Sequence, residues 1–239
     1  MNRWLKTVLF LAVSIVLTRL IPFSSFFRNV NTMVHEFCHA LLTLLMSGRV
    51  SGIQLHADHS GVTYSYLSSW WSLTAVSLAG YIGASLFSLL LFALYFKRRE
   101  RTGLLLITAI ALLMIVFWVH EGFGVWWLAG FIGLNAAIYF FAPAFVHWYY
   151  VLLAFIMLEE SVLGPFYLLQ YALLSPGQAG DAANMRQLTG IPALVWALLF
   201  VVVSLWCAVK SVAFFGKIRA PKTARTVHTE TRQRPYSRD

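Results

Sequence analysis

The sequence predicts an all-α polytopic membrane protein of six or seven transmembrane helices, with a small membrane-associated β-hairpin after its second helix. Three observations carry that prediction. Hydrophobic residues make up 59% of the 239-residue chain and charged residues only 11%, against about 45–50% and about 25% in an ordinary soluble domain. The mean hydropathy is +0.72. Apolar runs of the roughly 20 residues needed to cross a bilayer recur along the chain. So few charges cannot cover a soluble surface, and the same composition excludes disorder and a coiled coil. The two cysteines, Cys38 and Cys207, lie in apolar stretches and make neither a disulfide framework nor a CxxC signature.

A first span covers residues 5–22, flanked by Arg3 and Lys6. It has the basic start and apolar run of a signal peptide but no small-x-small cleavage site, so it reads as a retained anchor. Residues 29–47 form a second helix, stopped by Gly48. The composition then changes. Val50, Ile53, Leu55, Val62, Tyr64 and Tyr66 roughly alternate with polar residues, and Asp58-His59-Ser60-Gly61 is turn-rich. This predicts strands at 50–56 and 61–66, a hairpin within residues 49–66. A span at 71–96 contains Gly80 and Gly83, small residues that admit close helix contact. It ends at Lys97-Arg98-Arg99-Glu100-Arg101, charges expected to face the cytoplasm.

Further spans fall at 102–119 and 124–141. The apolar region 144–174 is expected to be interrupted by Glu159-Glu160 and Gly164-Pro165, with the paired carboxylates in a short loop. A soluble-looking segment, 175–188, precedes the last span at 191–215. A cytoplasmic N-terminus, a non-crossing hairpin and a cytoplasmic Lys97 cluster cannot all hold with these spans, so one boundary or crossing must differ. Residues 1–216 read as one transmembrane unit and 217–239 as a basic, disordered tail. Seven Lys and Arg residues against Glu230 and Asp239 give the tail most of the net charge of +9. Such a tail after a span marks the cytoplasmic side and its anionic lipids. No aromatic interleaving or folded module points to nucleic acid.

His35-Glu36-Phe37-Cys38-His39 is an HExxH on a helix. A spacing of four puts both imidazoles on one face, one turn apart, where both can reach one Zn²⁺. Glu36 lies beside the metal and can accept a proton from bound water, whose pKa zinc lowers to about 7. An intramembrane His-Glu pair is expensive without a function or a partner; the plainer alternative is a polar cluster that glues helices. Catalytic zinc takes three protein ligands and keeps one position open. Asp181, the only Asp between Asp58 and Asp239, is the candidate for the third ligand. Its place before Ala182-Ala183 would also suit a helix N-cap.

Other polar groups take plainer readings. His56, Asp58 and His59 are turn residues, His120-Glu121-Gly122 joins two spans, and Asn135 is interhelical glue. Trp70, Trp71, Trp126, Trp127, Trp148, Tyr149 and Tyr150 are expected at the membrane interface.

With these residues in hand, the chain resembles the site-2 protease family of intramembrane zinc metallopeptidases, in particular a compact bacterial-type branch without a PDZ insert. The matching stretches are Val34-His35-Glu36-Phe37-Cys38-His39-Ala40, Ser47-Gly48-Arg49-Val50 with its hairpin, Ala79-Gly80-Tyr81-Ile82-Gly83, Asp181-Ala182-Ala183-Asn184-Met185 and Leu188-Thr189-Gly190-Ile191-Pro192. The resemblance implies that His35, His39 and Asp181 ligate zinc, that Glu36 is the base, and that the hairpin lies along the site and pairs with an unwinding substrate strand. One position departs: Ala182 stands where the family's Asn-Pro-x-x-x-Asp-Gly type of motif has Gly.

The function expected is a zinc endopeptidase, a multi-pass protein of the plasma membrane, that hydrolyses a peptide bond in a membrane-associated protein. One alternative is a non-catalytic zinc-binding relative; Glu36 counts against it, since a structural zinc needs no base. Another is a metal-ion transporter, which the lack of an internal repeat disfavours.

Overall fold

The computed structural model describes residue 20 and residues 24–216. The expected first span at 5–22 and the basic tail at 217–239 lie outside the described residues. The chain runs α1 (Ser24–Leu45), β1 (Arg49–Leu55), β2 (Gly61–Tyr66), α2 (Trp70–Phe96), α3 (Glu100–Phe117), α4 (Gly122–Phe141), α5 (Val146–Leu174), a 3₁₀ turn (Pro176–Gln178), α6 (Gly180–Thr189) and α7 (Ala193–Gly216). Among the described residues, five helices are long and apolar enough to cross a membrane: α2, α3, α4, α5 and α7. Their outer faces carry exposed Leu105, Leu113, Val116, Phe140 and Val202, which belong against lipid. This is a multi-pass membrane protein.

The helix α1 is built differently. Its buried polar residues Asn29, Thr32, Glu36, His39 and Thr43 recur at spacings of three and four, which lines them up as a polar stripe along one side. The hairpin, α2 and α5 pack around this helix. Its end corrects one expectation. Ser47, not Gly48, takes the left-handed conformation, at φ 57. Gly48 serves close approach instead, since a Cβ there would lie 2.8 Å from the Tyr66 carbonyl oxygen.

The strands β1 and β2 pair antiparallel, from Arg49 opposite Tyr66 to Leu55 opposite Gly61, with an irregularity between Val50 and Gly52. Ile53 and Leu55 are buried. The Ile53 amide donates to the Trp118 carbonyl at 2.9 Å, which ties the hairpin to the end of α3. Centrally, α2 packs against α1, α5, α6 and α7. The short α6 ends at Gly190, left-handed at φ 74, and Pro192 follows, a stop that a proline cannot continue.

Two further expectations are corrected. Region 144–174 is not interrupted: α5 runs unbroken through Glu159-Glu160 and Pro165. A proline inside a helix forfeits one backbone hydrogen bond, which packing in a membrane bundle can tolerate. Both carboxylates are buried, and Glu160 forms an ion pair with Arg28 of α1. The aromatic belt is also smaller than expected. Trp71, Trp126 and Trp148 are exposed, but Trp127, Tyr149 and Tyr150 belong to the core. The Tyr150 hydroxyl donates to the Leu91 carbonyl at 2.8 Å, and Gly103 leaves room for its ring.

Candidate metal centre

The spacing of His35 and His39 on α1 brings their Nε2 atoms to 3.0 Å from each other. From the first turn of α6, Asp181 Oδ2 comes within 3.3 Å of both. Asp181 does not cap its helix: the N-cap position is Ala179, and no side chain caps there. The structure thus brings the three expected ligands together, with one atom from each inside a cluster no wider than 4.8 Å.

The protons decide what this cluster can hold. His39 Nδ1 lies 2.7 Å from the Val76 carbonyl of α2, which can only accept, so Nδ1 carries a hydrogen. In the neutral ring, Nε2 then presents its lone pair to the other two atoms. Asp181 Oδ2 is buried without a hydrogen-bond partner. A single proton can bridge only one pair of these atoms, whereas a cation satisfies all three. Two imidazoles and a carboxylate, with room for one more ligand, match the donor set of a catalytic zinc. The Val76 carbonyl fixes the tautomer and ring orientation of His39, as partners beyond the ligands commonly do at metal sites.

Neighbouring elements press close. A Cβ on Gly80 of α2 would collide with both imidazoles, so only glycine allows α2 to approach there. A Cβ on Gly61 of β2 would lie 2.7 Å from Glu36 Oε1. Glu36 is buried, and Thr63 Oγ1 of β2 donates to its Oε2 at 2.6 Å. The hairpin therefore holds the carboxylate that the sequence singles out as the base. An open cavity of about 670 Å³ reaches this group; Arg28, Asn31, Thr63, Tyr81 and Asn184 are among its walls.

The turn residues stay apart from the metal cluster. Asp58 Oδ1 accepts from the Ser60 amide and hydroxyl, at 3.0 and 2.7 Å, and these bonds lower the exposed Asp58 carboxyl below its ordinary value. His59 Nδ1 lies 3.2 Å from Asn29 Oδ1, and the His59 carbonyl accepts from Thr32 at 2.8 Å, which fastens the turn to α1. Glu121 lies in the loop between α3 and α4 and accepts from Gln54 at 3.3 Å.

A family model described as Peptidase M50B-like matches residues 7–211. The chain belongs to this family. The resemblance to site-2 proteases noted in the sequence is thereby borne out at the level of the family. No curated protein and no solved structure matches the chain. Within the M50B-like framework, Thr63, Val76 and Tyr81 are the residues around the cluster whose contacts the sequence did not announce. The one signal was the Gly80-Tyr81 pair inside the stretch that carried the resemblance.

Proposed function

We propose that the protein is an intramembrane zinc endopeptidase that hydrolyses a peptide bond in a membrane-associated protein. The observation that supports this most is the meeting of one ligand-type atom each from His35, His39 and Asp181 within 4.8 Å, next to Glu36 in the chain. His35, His39 and Asp181 would hold the metal. A bound Zn²⁺ supplies a Lewis acid for the peptide carbonyl and lowers the pKa of a coordinated water to about 7.

The chain's own groups handle the protons. Glu36 takes a proton from the attacking water and returns it to the leaving nitrogen. The Thr63 hydroxyl fixes the carboxylate through Oε2 and leaves Oε1 as the oxygen to take the proton. The substrate segment enters the cavity unwound, because a helical peptide buries its own carbonyls. The same reading places the protein in the plasma membrane, with the 217–239 tail in the cytoplasm against anionic lipid.

The test is zinc content of the purified chain beside cleavage of a quenched peptide with an apolar segment. Wild type should carry about one zinc, and His35→Ala and Asp181→Ala should lose it. Glu36→Gln should keep zinc while cleavage falls by about 10²–10⁴-fold. Zinc in a wild type that does not cleave the peptide would instead favour a metal-binding protein without hydrolytic activity, and cleavage unchanged in Glu36→Gln would remove Glu36 as the base.

A further inference from the structure

Most polar side chains around the cavity already have partners inside the protein. Thr63 donates to Glu36, Arg28 pairs with Glu160, and His59 bonds Asn29. Tyr81 is different. Its ring is firmly placed: His35 meets it edge-to-face with centroids 4.6 Å apart, and Phe200 packs against it at 5.2 Å. A Cβ on Gly164 of α5 would lie 3.2 Å from its Cε1. Yet its hydroxyl makes no hydrogen bond among the described residues. The side chain lines the cavity and packs on His35.

A tyrosine hydroxyl in a mostly buried setting usually finds a partner. Here the residue that carries the donor lines the cavity and is held by packing next to a metal-ligand candidate. Asp181 Oδ2 is also unpartnered, but it is an acceptor and would repel a growing negative charge; Asn31, whose Oδ1 is unpartnered too, carries an Nδ2 donor but lacks the ring packing that holds Tyr81. Hydrolysis needs a donor at that point. Water adds its oxygen to the peptide carbon, its proton goes to Glu36, and the carbonyl π electrons move onto the carbonyl oxygen. The carbon–nitrogen bond then breaks, and the proton passes from Glu36 to the nitrogen. A rigid donor aimed at the charged oxygen stabilises that passage without having to reorient.

We propose that Tyr81 is a catalytic residue whose hydroxyl donates a hydrogen bond to the carbonyl oxygen of the scissile peptide as that oxygen becomes negative. The phenol keeps its proton throughout. This inference rests on the endopeptidase reading above.

The test uses the full-length chain in detergent, wild type beside Tyr81→Phe and Glu36→Gln. The probes are a quenched apolar peptide and its phosphinic analogue, which carries a tetrahedral oxyanion at the scissile position. Phenylalanine keeps the ring contacts and removes only the hydroxyl. Expected in Tyr81→Phe are full zinc content, a KM within about threefold of wild type and a kcat lower by about 10²-fold. Affinity for the phosphinic peptide should fall by a similar factor, because the analogue presents the charge that the substrate lacks. A kcat within about threefold of wild type overturns the proposal. Loss of zinc also overturns it, by making Tyr81 a prop for His35. If wild type neither cleaves the peptide nor binds its analogue, the endopeptidase reading itself falls, and this inference with it.

Discussion

Two of the buried polar clusters among the described residues are wired in opposite ways. Between α3, α4 and α5, the Tyr149 hydroxyl donates to Asn135 Oδ1 at 2.6 Å, Asn135 Nδ2 donates to Thr108 Oγ1 at 2.9 Å, and Thr108 Oγ1 donates to the Leu104 carbonyl at 2.8 Å. Each donor has an acceptor, and the chain ends on the backbone. Between α1 and α6, one atom each of His35, His39 and Asp181 converges on the others, and Asp181 Oδ2 has no hydrogen-bond partner. The first arrangement is complete by itself and holds helices together. The second is complete only with something positive in it. The difference separates polar residues kept for assembly from polar residues kept for chemistry, a distinction that burial alone does not make.

Substitutions can break that contrast at graded strength. The largest effect is expected from Gly80→Ala, whose new methyl group collides with both imidazoles. Zinc affinity, titrated against a competing chelator, should fall by about 10–100-fold while the helices remain intact. Thr63→Val comes next. It keeps the side-chain shape and removes the donor to Glu36, so kcat should fall roughly tenfold with zinc content unchanged, as for a hydrogen bond to a charged group. The smallest effect belongs to Asn135→Leu. Denaturation in detergent should show a loss of about 1 kcal/mol, with zinc content and kcat at wild-type levels. Zinc loss in Asn135→Leu would erase the distinction between the clusters.

The histidines were legible because both sit on one helix, where a spacing of four leaves little freedom. Asp181 was legible by scarcity, as the lone Asp of the central chain, although its sequence position suited a cap equally well. Its direction toward α1 is a product of how α6 docks on α2, and no local pattern encodes that. Thr63, Val76 and Tyr81 stayed hidden for the same reason: each reaches the site from another element. The aromatic residues failed differently. In spans apolar on every side, periodicity does not distinguish the face toward lipid from the face toward the bundle. Trp127 and Trp126 therefore look alike in the sequence, yet one is buried and the other exposed. Glu159-Glu160 was read as a loop because a Gly-Pro pair follows; the long helix survives with Glu160 neutralised by Arg28 from α1.

The helix α2 has 27 residues, about 40 Å at 1.5 Å per residue, and the hydrocarbon slab is about 30 Å thick. A rod longer than the slab leans, and the lean follows bilayer thickness. This rod carries the Val76 carbonyl that orients His39 and the Gly80 gap that admits both imidazoles. Bilayer thickness therefore acts on the same helix that shapes the surroundings of His35 and His39.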